Sequence, residues 1–287
     1  MSSNKLSSSL DTKLNNKLTN IITNSNVLLK LFCSLTIVIL ICILIGNYAF
    51  KNGVLTCDHY VFNTYLYIIL SILLVFIVVL VNDQTGIFNS FLLSMTQGNI
   101  FIIMIFILSI LFILLYALQN INPNNILASN TIWVLLIISL SIFVIPIIWF
   151  GRLTNVVGLA GILTVLITLI TGIAGYYYGD KIITFDWDKY LNIALLILII
   201  VFIIGVFLLQ DNKDSNTIKI FYLFISIISL IIFILLLLSN HKKLQEDANK
   251  CIDGKVVPNY PLESFSIFIK ILNLFEDLIH ILGINRM

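Results

Sequence analysis

Charged residues are scarce in this sequence. Of its 287 residues, 16 are Lys or Arg and 14 are Asp or Glu, while 60% are hydrophobic. A soluble protein has about a quarter of its residues charged, so this chain has too few to cover a water-soluble domain of its size. The scarcity also excludes a nucleic-acid-binding protein, which needs clustered Lys and Arg. The composition predicts an integral membrane protein whose partners are the lipid bilayer and, in addition, other membrane proteins.

Recognisable catalytic and metal-binding motifs are absent as well. The chain has three histidines and contains neither an H-E-x-x-H nor a G-x-S-x-G motif. The tetrad SNHK at Ser239–Lys242 contains catalytic residue types, but neighbours in sequence at the end of a predicted helix do not form a triad, which depends on geometry. We therefore predict a polar helix end at this position, and a protein without enzymatic activity, cofactor or bound metal.

Long apolar runs are what the sequence has in abundance. A helix needs about 20 apolar residues to cross the hydrocarbon layer, and unpaired backbone groups are too costly in lipid for a loop. Continuously apolar runs do not alternate as the strands of a membrane barrel do. The sequence thus predicts an all-α polytopic membrane bundle with seven or eight transmembrane segments. Eight segments qualify, at residues 27–49, 61–81, 99–118, 131–150, 156–178, 191–209, 217–239 and 262–283.

The segments divide the chain into three parts. A polar tail covers residues 1–26, the first three segments cover 27–118, and a helical core covers 131–283. If all eight segments cross, the flanking Lys and Arg residues are split eight against seven between the two sides, so the positive-inside rule favours a cytosolic N-terminus only through the lysines of the tail. Cys57 and Cys251 would then share a side, either as a disulfide in an oxidising lumen or as free thiols.

The last segment carries an ordered set of polar residues. They recur at steps of three and four, which places them along one face of a helix. Such a helix either lies on the membrane surface or stands within the bundle with its polar face towards other helices or water. Because charges at membrane depth mark paired networks and ion routes, we favour the second interpretation. The residues are Glu263, Ser266, Lys270, Asn273, Asp277 and His280.

The same segment resembles a known family. The run NYPLESFSIFIKILNLFEDLIHILG is similar to the closing signature of the Bax inhibitor-1 family, with NLF at residues 273–275 and the ending at 281–283. Upstream, the run IPIIWFGRLTNVVGLAGILTVLITLITGIAG is similar to the family's middle helices. The resemblance covers residues 131–283. Since the family has seven membrane segments, it implies that one of the first three segments of this chain is an addition.

The resemblance implies a protein of the endoplasmic reticulum or another endomembrane, rather than the plasma membrane, that modulates cell death or calcium homeostasis. Members of the family carry two membrane-embedded aspartates associated with pH- and calcium-sensitive ion leak. The corresponding positions here are Asn240 and Lys270. Two close carboxylates can share a proton and sense pH, whereas an amide and an ammonium cannot. We hypothesise that Lys270 is a tethered cation in place of the proton or calcium ion, supported by Asp277 or Glu263.

Two other classes of function remain open from the sequence. One is a transporter or channel of unknown substrate, although no internal repeat or pair of broken helices stands out to favour it. The other is a non-catalytic structural membrane protein, for example of a virus. Flux measurements would identify the first, and abundance in particles would identify the second.

Overall fold

The computed structural model describes residues 27–51, 53–86, 97–183, 187–209, 215–284 and 286; the tail at 1–26 lies outside them. The described residues form eight helices and one short antiparallel hairpin, in which Phe50 pairs with Leu55. The strands are β1 (Phe50–Lys51) and β2 (Val54–Leu55). The helices are α1 (Val27–Tyr48), α2 (Tyr60–Thr85), α3 (Gln97–Asn120), α4 (Ile126–Leu153), α5 (Val157–Ile182), α6 (Trp187–Leu209), α7 (Ser215–Ile252) and α8 (Tyr260–Ile284).

Every predicted apolar segment coincides with one of these helices, which confirms the all-α membrane bundle. In the described part of the chain, six helices are long and apolar enough to cross a membrane: α1, α2, α4, α5, α6 and α7. In α3 the apolar stretch found is Ile105–Asn120, which is shorter. Helix α8 is long enough to span, but it contains four charged residues, Glu263, Lys270, Glu276 and Asp277. These charges are spread along the helix, whereas the charged residues of α7 lie outside its apolar run at 220–239.

The charged helix α8 lies at the centre of the bundle. It packs against α2, α4, α5 and α7, and Phe268, Leu274 and Ile279 on it are almost completely buried. Helices α1, α5 and α6 instead expose many large apolar side chains, Phe32, Ile170 and Phe207 among them. Exposed apolar surface of this extent suits contact with lipid. The one helix with an ordered polar face is thus surrounded by protein, where polar groups cost least.

The helices contact one another at two opposite ends of the bundle, which we call its faces. At the first, which we call the hairpin face, the disulfide between Cys57 and Cys251 connects the start of α2 to the end of α7. Lys242 Nζ there lies 3.3 Å from Asp180 Oδ1 at the end of α5. At the opposite face, Arg152 NH1 lies 2.8 Å from Asp83 Oδ2, which connects α4 to α2. These pairings are those expected of successive helices that alternate in direction.

Two helices run through positions where the sequence could end them. Proline inside a helix removes a backbone hydrogen bond, yet α4 continues through Pro146 as one element. Helix α7 runs well past residue 239, the predicted end of its apolar segment. Within this extension Leu244, Ala248 and Cys251 are buried, at helical spacing. The extension is therefore amphipathic and packs on the bundle, which explains why the polar sequence does not end the helix.

Candidate functional site

A cleft of about 570 Å³ separates α6 from α8, with α7 as its third wall. We call it the charged cleft. The walls formed by α6 and α7 are apolar except for Asn192 and Ser229. The wall formed by α8 carries most of the predicted polar face. The cleft therefore has one charged wall and two largely apolar ones; the α8 residues that line it are Ile269, Lys270, Asn273, Glu276 and Asp277.

The positions of the two family aspartates meet in the structure. Asn240 Nδ2, on α7, donates to Ser266 Oγ at 3.2 Å and approaches the Ser266 carbonyl oxygen at 3.4 Å. Lys270 Nζ, on α8, donates to the same carbonyl oxygen at 2.9 Å and lies 3.3 Å from the same Oγ. One serine thus accepts hydrogen bonds from both side chains. This convergence shows that the two positions are neighbours across the α7–α8 contact and face the bundle rather than lipid.

The hypothesised support for Lys270 from Glu263 or Asp277 does not take the form of a direct ion pair. Neither Glu263 nor Asp277 forms an ion pair with the Lys270 ammonium in the described part of the chain, which instead bonds to Ser266 one turn earlier. Each carboxylate is seven residues from Lys270 along α8, a rise of roughly 10 Å. That distance exceeds the reach of a direct ion pair, so carboxylates act on the ammonium only through longer-range fields.

Asp277 is the most deeply buried charged residue of the cleft wall. Asp277 is only 7% exposed. Its Oδ2 atom has no hydrogen-bond partner among the described residues. An unpaired polar group in an apolar setting is costly. The cleft thus presents on one wall the Lys270 ammonium and, about two helical turns further along α8, two carboxylates, those of Glu276 and Asp277. Within the described residues, no group of three or more His, Cys, Asp and Glu side chains could hold a metal ion.

The two ends of the predicted polar face lie outside the cleft. Among the charged residues, Asp247 and Lys243 of α7 have the strongest electrostatic effects on Glu263. His280 Nε2 lies 3.8 Å from Glu276 Oε1, and its ring packs against Phe150 of α4 with centroids 5.5 Å apart. The polar residues of α8 therefore do not all line one cleft. Because α8 packs against several helices, successive turns of the same face meet different neighbours.

The sequence did not indicate the role of His241. Its tetrad was predicted to be a polar helix end, but α7 continues beyond it and the residue is only 3% exposed. His241 packs against α5 where that helix carries glycines: an added Cβ on Gly175 would lie 2.7 Å from His241 Cβ and 2.8 Å from the Leu238 carbonyl oxygen. The glycines at 172, 175 and 179 were the available signal, because small residues at such spacing permit close helix contact.

A disulfide at the hairpin face settles one alternative that the sequence left open. Cys57 and Cys251 are bonded to each other, whereas Cys33 and Cys42 are free thiols. Close by, the hydroxyl of Tyr260, at the start of α8, donates to the carbonyl oxygen of Thr56. The loop between α1 and α2 is thus attached to both α7 and α8 at the hairpin-face ends of these helices.

The comparison with protein families agrees with this architecture. The family model described as "Inhibitor of apoptosis-promoting Bax1" matches residues 57–287. The match includes α2 to α8 and leaves α1 outside, so it reaches further towards the N-terminus than residues 131–283. No curated protein matches the chain. Because the family model covers most of the sequence, the chain belongs to the Bax inhibitor-1 family.

Proposed function

We propose that this protein is a non-catalytic endomembrane member of the Bax inhibitor-1 family that modulates cell death or calcium homeostasis without the pH gate of its relatives. In this proposal, Lys270 supplies a fixed positive charge where the family has a titrating carboxylate. The observation that carries it is the shared contact of Asn240 and Lys270 with Ser266.

The chemistry of the two side chains supports this role. Two neighbouring carboxylates can hold a proton between them, so their contact changes with pH. The Asn240 amide does not titrate, and its contact with Ser266 is independent of a shared proton. The Lys270 ammonium bonds to a carbonyl oxygen that only accepts hydrogen bonds. The contact between α7 and α8 at this point is therefore held in one arrangement.

Calcium flux in vesicles containing the purified protein tests the proposal. We expect the wild type to show little calcium leak and little change in it between acidic and neutral pH. The double substitution Asn240→Asp with Lys270→Asp should introduce a pH-dependent leak, since it restores two carboxylates at adjoining positions. A strong pH-gated leak through the wild-type protein would refute the proposed fixed state.

A matched control separates the site from a general change of charge. Lys181→Asp with Asn249→Asp makes the same two chemical changes on two helices, at exposed positions of α5 and α7. This variant should leave the flux and its pH dependence as they are in the wild type. Equal responses of both double variants would show that surface charge, rather than the pair beside Ser266, controls the leak.

We also propose that the hairpin face is lumenal and that α1 is the segment added to the family's seven. Disulfides persist in oxidising compartments, and Cys57 and Cys251 both lie at this face. Helix α1 precedes the matched range. With eight crossings, both termini are then cytosolic, as the lysines of the tail predict.

Glycosylation mapping tests this orientation. An acceptor site inserted into the exposed loop at 253–257 should be glycosylated in microsomes, because this loop lies at the hairpin face. The same site placed in the tail at 1–26 should remain unmodified. Glycosylation of the tail and not of the loop would reverse the orientation.

A further inference from the structure

A second cleft lies on the other side of α7, between α2 and α5. Its volume is about 300 Å³, at the small end of the range for ligand sites. No Asp, Glu, Lys or Arg lines it, so we call it the neutral cleft. It opens sideways, where Leu169, Ile173 and Tyr177 are exposed, towards the position of the lipid. Its lining residues are Val61, Tyr65, Thr168, Leu169, Gly172, Ile173, Tyr176, Tyr177, His241 and Leu244.

His241 gives this apolar cleft a directed hydrogen-bond acceptor. Its Nδ1 lies 2.7 Å from the carbonyl oxygen of Leu237, and since a carbonyl only accepts, Nδ1 carries the proton of the neutral ring. Nε2 is then an acceptor. It is buried and has no hydrogen-bond partner among the described residues. The ring is held in place by stacking on Tyr65, with centroids 5.9 Å apart.

Nε2 lies close to Gly172 of α5. An added Cβ on Gly172 would lie 3.5 Å from His241 Nε2 and 3.1 Å from the Tyr65 hydroxyl oxygen. The side chain of Thr168, one turn earlier on the same face of α5, contributes a second polar atom. Its Oγ1 is buried and has no hydrogen-bond partner in the described part of the chain. Two unpaired polar atoms from α5 and α7 therefore lie on the lining of one cleft.

This combination selects a neutral ligand with a hydroxyl group. A hydroxyl can donate to His241 Nε2 and accept from Thr168 Oγ1, which satisfies both buried groups at once. A charged headgroup would find no opposite charge in the lining. A lipid with two acyl chains exceeds the volume, whereas one flat ring system can lie along the exposed side chains of Leu169 and Ile173, beside the ring of Tyr65. We propose that the neutral cleft binds a sterol, whose free hydroxyl donates a hydrogen bond to Nε2 of His241.

Photolabelling of the full-length protein in phosphatidylcholine nanodiscs tests this proposal. The probe is a cholesterol analogue with a photoreactive diazirine and a free hydroxyl. We expect crosslinks to map to α2 and α5 around Tyr65 and Gly172, and excess cholesterol to compete for them. Cholesteryl methyl ether retains the ring system and the oxygen but cannot donate, so it should compete less well by roughly fivefold, as the loss of one hydrogen bond predicts.

Two substitutions locate the site. His241→Phe keeps a stacked ring but removes the acceptor, and should lower labelling by roughly fivefold, while His241→Gln, which keeps an acceptor, should restore part of it. Gly172→Val fills the cleft and should abolish labelling at α5. Gly161→Val is its matched control on the same helix, because an added Cβ on Gly161 has no heavy atom within 4 Å.

The outcomes of this experiment are distinct. Equal competition by cholesterol and its methyl ether would overturn the proposed hydrogen bond even if a variant failed to fold, since it uses the wild-type protein alone. Labelling that survives both His241→Phe and Gly172→Val, or that maps evenly over the lipid-facing helices, would show binding to the outer surface rather than to the cleft.

Discussion

The two clefts on either side of α7 differ in almost every chemical respect. The charged cleft has an ammonium and two carboxylates on its α8 wall, whereas the neutral cleft has two unpaired neutral polar atoms in an otherwise apolar and aromatic lining. Helix α7 gives mainly apolar residues to the charged cleft and gives His241 to the neutral one. The difference teaches that the charge of each cleft depends on the neighbour of α7 that faces it, because α8 lines one cleft with charged side chains and α5 lines the other with none.

The means of close packing also differs between the two sides of α7. On the α5 side, glycines let the helix backbones approach, so an added Cβ on Gly175 would collide with Leu238 backbone. On the α8 side, side chains of ordinary size meet, and Asn240 and Ser266 bond across the contact. The contact between α5 and α7 depends on glycines, which have no side chain to keep the helices apart. The contact between α7 and α8 depends on the hydrogen bond between Asn240 and Ser266. Substitutions can therefore test the two sides separately.

The largest effect on stability should come from removing the disulfide at the hairpin face, which connects α7 to the start of α2. Cys57→Ser frees a link between residues 194 positions apart, and loss of such a link costs about 2–4 kcal/mol of stability. Thermal unfolding in detergent measures it, with Cys33→Ser as the control, since Cys33 is a free, exposed thiol. Equal unfolding temperatures for both variants would show that the link does not hold this end together.

A smaller loss should follow from adding one methyl group on the neutral side. Gly175→Ala places its Cβ 2.7 Å from His241 Cβ, and such overpacking costs about 1–3 kcal/mol. Gly158→Ala on the same helix has open space and should instead gain up to about 1 kcal/mol from helix propensity. The thermal unfolding midpoints of the two variants measure both changes in stability. If the two alanines had the same sign, α5 and α7 would not be in contact at Gly175.

On the charged side, a substitution should stabilise the protein. Asp277→Asn replaces a buried carboxylate that has an unpaired oxygen by a neutral amide of similar shape. Because an unpaired buried charge is unfavourable, we expect a gain of about 1–2 kcal/mol in the free energy of unfolding. Asp253→Asn, at an exposed loop position, should change little. A marked loss with Asp277→Asn would reveal a cationic partner for the carboxylate.

The smallest effect should come from the rim of the charged cleft. Glu276 and His280 form a pair at 3.8 Å with side chains 38% and 35% exposed. Partly exposed pairs of this kind are worth about 0.5 kcal/mol or less, so Glu276→Gln should leave the unfolding midpoint nearly unchanged. A decrease in the unfolding midpoint as large as that from Cys57→Ser would show that the pair of Glu276 and His280 stabilises the fold as much as the disulfide does.

Much of the architecture was predictable because lipid imposes a simple rule. All eight helices coincide with apolar runs, since only helices and closed barrels satisfy the backbone in a membrane and these runs do not alternate as barrel strands do. The extension of α7 to Ile252 was not predicted, because its buried residues alternate with polar ones and hydropathy alone does not recognise an amphipathic helix. Lys270 and Asn240 were identified by resemblance, whereas His241 was missed, because its environment is built by glycines on another helix.

The sequence by itself determined that this protein is a bundle of membrane helices, and that the last apolar run, unlike the others, carries charges along its length. Length, hydropathy and the spacing of Lys270 and Asp277 are local properties of the sequence, so they do not depend on which helices pack together. Only the tertiary structure decided that this helix stands at the centre, that Ser266 joins Lys270 to Asn240, and that Cys57 is bonded to Cys251. These contacts join residues far apart in the chain, and their free energy depends on which helices pack together.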